Sequence, residues 1–99
     1  MDMARTETAP RIDRLAAALE GAIKAEGLAM HRHPHQMGGF SVLKSPDIPA
    51  VLIELGFLSS ARDLRRLTDP EWRDRMARAI RVGVMAWAAE DAGLASLPR

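Results

Sequence analysis

Ala50-Val51-Leu52-Ile53-Glu54-Leu55-Gly56-Phe57 begins with four apolar residues in succession, then breaks on a lone carboxylate and a glycine. The run is too short for a buried helix and rich in branched side chains, so it reads as a strand. It does not alternate, and a strand that is apolar at every position asks for cover on both faces, as in a parallel sheet. Upstream, Phe40 to Leu43 is a second short apolar run consistent with a strand. Between the two, Pro46 and Pro49 offer no ladder hydrogen bonds, so Lys44 to Pro49 is irregular.

Toward the N-terminus, Ile12, Leu15, Ala16, Leu19 and Ile23 recur at i, i+3, i+4, i+7 and i+11, which makes one buried helical stripe. Residues 1–7 show no helix start. Thr8 reads as the cap, with Pro10 and Arg11 in the first turn. Gly27 is the stop, since glycine takes the left-handed cap position most readily. Leu28 to Gly39 holds three histidines, Pro34 and a Gly38-Gly39 pair, and reads as a loop. Toward the C-terminus, Ser60 and Asp63 form a weak capping box ahead of a short helix from Ala61 to Leu67. Thr68 and Glu71 form the preferred box, with Pro70 in the first turn of the last helix. Trp72, Met76, Ala79, Ile80, Val84 and Trp87 follow at helical spacing. Glu71–Arg75 and Asp74–Arg78 are favourable i,i+4 pairs, each contributing about 0.2–0.5 kcal/mol. Gly93 and Pro98 mark a fraying end, so 91–99 is expected as a tail.

The expected order is therefore helix, strand, strand, helix, helix. The fold class is α/β, with these residues forming the C-terminal part of a mostly parallel sheet flanked by helices. Two strands that need cover on both faces do not make a sheet alone. Residues 1–99 are thus expected to be an incomplete domain, or one that finds its missing strands in a partner or in self-association through exposed strand edges.

Composition narrows the function classes. Hydrophobic residues at 47% and charged residues at 27% lie in the globular range. A chain this short buries only about 60–70% of its unfolded surface. A net charge of +1 argues against coating nucleic acid or an anionic membrane. No run approaches the roughly 18–20 apolar residues that span a bilayer, and the N-terminus lacks a signal-peptide layout. Without cysteine there are no disulfides.

Glu54 is the leading candidate for chemistry. A lone carboxylate at the C-terminal end of a buried parallel strand stands where open α/β sheets place their ligands, and apolar surroundings suit it to general acid–base work. Position alone leaves open an ordinary strand-end glutamate that faces water or pairs with a nearby arginine. His31, His33 and His35 alternate, so a strand would point them the same way toward one ion. Pro34 interrupts that pattern, and a solvated histidine loop is the competing reading. Arg62, Arg65, Arg66, Arg73, Arg75, Arg78 and Arg81 are interleaved with acidic residues and read as a solvated face, not a nucleic-acid surface. Trp72 and Trp87 lie on the apolar stripe and read as core.

Phe40-Ser41-Val42-Leu43-Lys44-Ser45-Pro46-Asp47-Ile48-Pro49, continuing through Ala50–Phe57 to Leu58-Ser59, resembles a stretch near the C-terminus of the zinc-dependent N-acetylmuramoyl-L-alanine amidases of bacteria. In that family the stretch runs "GF-VL+-PDIPSVLVE-GF-SN". Leu67-Thr68-Asp69-Pro70 matches the family's approach to its last helix, and Glu7-Thr8 with Arg11 and Leu15-Ala16 matches an "ET--RS--LA" helix opening. Ser60 departs from the family's usual asparagine, and serine can still cap the next helix.

The resemblance implies a peptidoglycan hydrolase of the periplasm or another extracytoplasmic compartment. Its reaction cleaves the amide between the N-acetylmuramic acid lactyl group and L-alanine of the stem peptide, with zinc-activated water. It maps the general base and acid onto Glu54. The family's zinc ligands come from a "DPGHGG"-like loop, a helix glutamate and an "S-HAN"-like strand end, none of which occurs here. His31, His33 and His35 match none of them, so the resemblance implies no zinc ligand and no bound zinc in this chain. The whole enzyme would supply zinc from a missing N-terminal part of the catalytic domain, and an activator protein is a further implied partner. By itself the chain is expected to be inactive. The alternative is a non-catalytic domain, derived from the amidase, that binds peptidoglycan or a partner.

Overall fold

The computed structural model describes residues 3–28, 40–43 and 48–97. Its elements are α1 (Met3–Ala25), β1 (Phe40–Leu43), β2 (Ala50–Ile53), α2 (Ala61–Leu67) and α3 (Pro70–Ala95). The element order is the expected one. The sheet is not. β1 and β2 pair antiparallel, with Phe40 opposite Ile53 and Leu43 opposite Ala50, in a sheet of two strands. The expected mostly parallel sheet flanked by helices is therefore wrong for the described residues, in which helices of 23, 7 and 26 residues dominate. The physical reason lies in the connection. Only residues 44–49 separate the strands, whereas a parallel crossover needs about a dozen residues or more. β2 is also covered on one face, not two. Val51 and Ile53 pack against the core, while Leu52 between them is 49% exposed.

The core forms between α1 and α3. Ile12, Ala16, Leu19 and Ile23 are buried along α1, and Met76, Ala79 and Gly83 along α3. The helices run antiparallel: Arg11 meets Asp91, Leu19 meets Gly83, and Glu26 meets Arg75. Gly83 is where they come closest. A Cβ built there would lie 2.9 Å from Leu19 Cα and 3.1 Å from the Ala18 carbonyl oxygen, so backbone packs directly on backbone. Gly83, not the expected Val84, thus holds the stripe position, and Val84 is exposed.

α1 begins at Met3 and carries Pro10 within it, not in its first turn. Met, Ala, Arg and Glu ahead of the proline are good helix formers, which offsets the single hydrogen bond that Pro10 removes. The C-terminus of α1 closes as expected at Gly27, whose φ is +79°. Gly27 N–H donates to the Lys24 carbonyl at 2.9 Å and Leu28 N–H to that of Ile23 at 3.2 Å, a Schellman closure. Leu28 and Ile23, the two apolar partners of that motif, both enter the core.

The caps of α2 and α3 differ from each other. Ser60 caps α2, as expected, accepting from Asp63 N–H at 3.2 Å. The cap of α3 is Asp69, one residue beyond the expected Thr68, and its Oδ1 accepts from Glu71 N–H at 3.0 Å. Pro70 accounts for the shift, because the residue before a proline is held extended and so becomes the cap. Thr68 instead closes α2, donating its hydroxyl to the Leu64 carbonyl at 2.7 Å. α3 then continues through Gly93 to Ala95, past the point where a tail was expected from 91.

Ion pairs fasten both ends of the α1–α3 pair. Arg75 and Arg78 turn to Glu26 at the end of α1. Arg11 Nη2 lies 2.9 Å and Arg14 Nη2 3.2 Å from the Asp91 carboxylate. Trp87 adds an indole N–H donated to the Arg11 carbonyl at 3.0 Å. The Arg11 hydrogen bonds hold the Asp91 carboxyl below its ordinary value of 3.8, outweighing partial burial, and Arg14 acts in the same direction as Arg11.

Two outcomes are expected. Gly83→Ala should destabilise the protein by about 1–3 kcal/mol, because no rotamer change relieves a clash with backbone. Gly21→Ala, on an exposed part of α1 with nothing within 4 Å, should stabilise it by about 0.5–1 kcal/mol. Urea melts of the two variants read both signs. The depressed Asp91 carboxyl stabilises the fold fully above pH 3.8 and ceases to do so as pH falls through its lower folded value. Asp91→Asn should therefore melt earlier than wild type at neutral pH. Its deficit should shrink in acid, and a deficit unchanged with pH would show that the ion pair is not its source.

Candidate functional site

Glu54 is the first residue after β2 and is half-buried. On its N-terminal side the chain is held twice, by the pairing of Ile53 with Phe40 and by the packing of Ile53 on the core. On its C-terminal side the chain turns through Leu55, Gly56 and Phe57 to the cap of α2. Among the described residues the Glu54 carboxylate has no hydrogen bond or ion pair. This disfavours the arginine-paired glutamate and leaves the water-facing one open, since Glu54 is only half-buried. Leu52, Leu55, Phe57 and Leu58, its sequence neighbours, are exposed at 42–74%. An exposed apolar stretch on either side of Glu54 along the chain is suited to receiving a substrate or a covering segment.

The turn after Glu54 is built on Asp63. This residue lies in the first turn of α2, yet it is only 3% exposed. Its Oδ2 accepts from Phe57 N–H at 3.0 Å, and Ser60 N–H donates to the Phe57 carbonyl at 3.1 Å. Gly56 packs on the same carboxylate: a Cβ there would lie 3.1 Å from Asp63 Cβ. Sequence reading gave Asp63 only a capping role and did not attach it to Glu54. The available signal was the Ser60-Asp63 spacing, which places an acid in the first turn but does not say which amide it seeks.

An apolar groove of about 210 Å³ lies between α2, α3 and the turn, lined by Leu55, Leu67, Trp72, Met76 and Ile80. Glu54 does not line it, although its neighbour Leu55 does. Trp72 is part of this wall and packs against the core, as expected. His31, His33 and His35 lie outside the described residues. Among the described residues no three histidine, cysteine or acidic side chains group to hold a metal ion. No helix among them is long and apolar enough to cross a membrane.

A profile of the N-acetylmuramoyl-L-alanine amidase family matches residues 3–86, Glu54 and its turn included. The chain belongs to that family. It is 36% identical over 66 residues to N-acetylmuramoyl-L-alanine amidase AmiC of Escherichia coli O6:H1, covering 67% of this chain and 16% of that one. A probable N-acetylmuramoyl-L-alanine amidase AmiB of Haemophilus influenzae is 38% identical over 63 residues, which is 64% of this chain and 15% of the other. A probable cell wall amidase LytH of Staphylococcus epidermidis is 37% identical over 68 residues, 69% of this chain and 23% of that protein. The chain thus spans less than a quarter of the length of these relatives. No solved structure matches it.

Ser60 stands at the pivot of this family segment, capping α2 while its amide closes the turn. Ser60→Ala should cost about 1 kcal/mol through the lost cap. Ser60→Asn should recover most of that, since asparagine caps about as well as serine. Thermal melts that rank the asparagine variant with the alanine one would show that the side-chain cap contributes little.

Proposed function

We propose that this chain carries the general base and acid of a peptidoglycan amidase, and that the residue is Glu54. The observation that carries the reading is placement: within the family-matched segment, Glu54 leaves the end of β2 half-buried, with backbone held on both sides. In this reading Glu54 takes a proton from the water that attacks the carbonyl of the amide joining the lactyl group to L-alanine. A C–O bond forms as the water oxygen adds. The C–N bond then breaks as Glu54 returns the proton to the departing alanine nitrogen, leaving a lactyl carboxylate and a free α-amino group.

The resemblance puts the family's zinc ligands in motifs that this sequence lacks. On that reading zinc belongs to other parts of the whole enzyme and the proton transfers to Glu54. The substrate is peptidoglycan, which places the whole enzyme in an extracytoplasmic compartment, where an activator protein would act on it.

The test uses the full-length amidase that carries this segment, assayed on purified peptidoglycan for release of alanine amino groups. Glu54→Gln should lower kcat by about 10²–10⁴-fold, the range for loss of a general acid–base group, with the melting temperature unchanged. Wild-type kcat in a folded Glu54→Gln enzyme would end the assignment.

A further inference from the structure

The Asp63 carboxylate lies in the first turn of α2, where such groups ordinarily sit in water and reach back to the cap amide. Here the residue is buried, and its Oδ2 reaches past the cap to Phe57 N–H at 3.0 Å. Removing a carboxylate from water is unfavourable unless hydrogen bonds satisfy it. Capping alone does not require that burial, because Ser60 already accepts from Asp63 N–H. One effect of the burial falls on the turn after Glu54. Both polar groups of the Phe57 backbone are engaged, its N–H by Asp63 and its carbonyl by Ser60 N–H. Gly56 meets the same side chain so closely that a methyl group there would lie 3.1 Å from Asp63 Cβ and 3.3 Å from Cγ.

We propose that Asp63 is a positioning residue for Glu54. It fixes the chain three residues beyond Glu54, as β2 fixes it one residue before, and so sets the direction of the Glu54 carboxylate. This rests on Glu54 being the general base. The side chain of Glu54 has no partner of its own among the described residues, so its aim comes from the backbone on either side. Small displacements of a reacting group, on the order of 1 Å, can cost about 100-fold in rate.

The experiment compares Asp63→Ala, Asp63→Asn and Glu54→Gln in the full-length amidase, recording kcat, KM and the melting temperature. Asp63→Ala should lower kcat by about 10- to 100-fold while KM changes little, because the group that moves acts on the reacting bond. Asp63→Asn keeps the shape and a weaker, neutral acceptor, so it should recover part of that loss. If the alanine variant does not fold, the asparagine variant decides alone: reduced kcat at unchanged KM supports the proposal, and wild-type kcat overturns it. Wild-type kcat in folded Asp63 variants, in an enzyme that Glu54→Gln inactivates, would overturn positioning and leave the general base standing. Activity retained by Glu54→Gln would instead remove the general-base reading, and this proposal with it.

Discussion

The close approach of α1 and α3 at Gly83 is the constraint on which the rest of the structure depends. With no side chain at that position, Leu19 and Ala18 of α1 come into contact with the α3 backbone. That approach aligns Ala16, Leu19 and Ile23 against Met76 and Ala79, and it brings Arg11 and Arg14 to Asp91 at one end and Arg75 to Glu26 at the other. The ion pairs are partly exposed, and charges near water add little to stability. Burial of the apolar stripe supplies the larger part of the stability.

The candidate site is carried by this helix pair at second hand. Val51 and Ile53 of β2 pack on the same core, which fixes where the strand ends and therefore where Glu54 begins. α2 then returns the chain along α3, and the buried Asp63 ties the intervening turn to it. Glu54 is thus held by backbone on two sides while Leu52, Leu55, Phe57 and Leu58, its neighbours along the chain, remain uncovered.

Much of the local structure was legible because it is governed by near neighbours. The α1 stripe, the Gly27 stop and the Ser60 cap follow from helical period, from the left-handed conformation that glycine tolerates, and from an oxygen placed to accept a first-turn amide. The cap of α3 was misplaced by one residue because the spacing of Thr68 and Glu71 was weighed above the extended conformation that Pro70 imposes on Asp69. The strands were placed correctly and paired wrongly. A continuous apolar run suggests two covered faces, but the short connection across 44–49 favours an antiparallel hairpin.

The sequence by itself determined the order of helices and strands and the family resemblance, and it offers Glu54 as the candidate, since each is written in residues adjacent along the chain or one helical turn apart. Tertiary structure alone decided that Gly83 and not Val84 meets α1, that β2 leaves Leu52 open, and that Asp63 turns from its own helix to the amide of Phe57. Those three outcomes depend on which backbone approaches which. Such distances arise only when segments far apart in the chain pack together, and no local period or propensity encodes them.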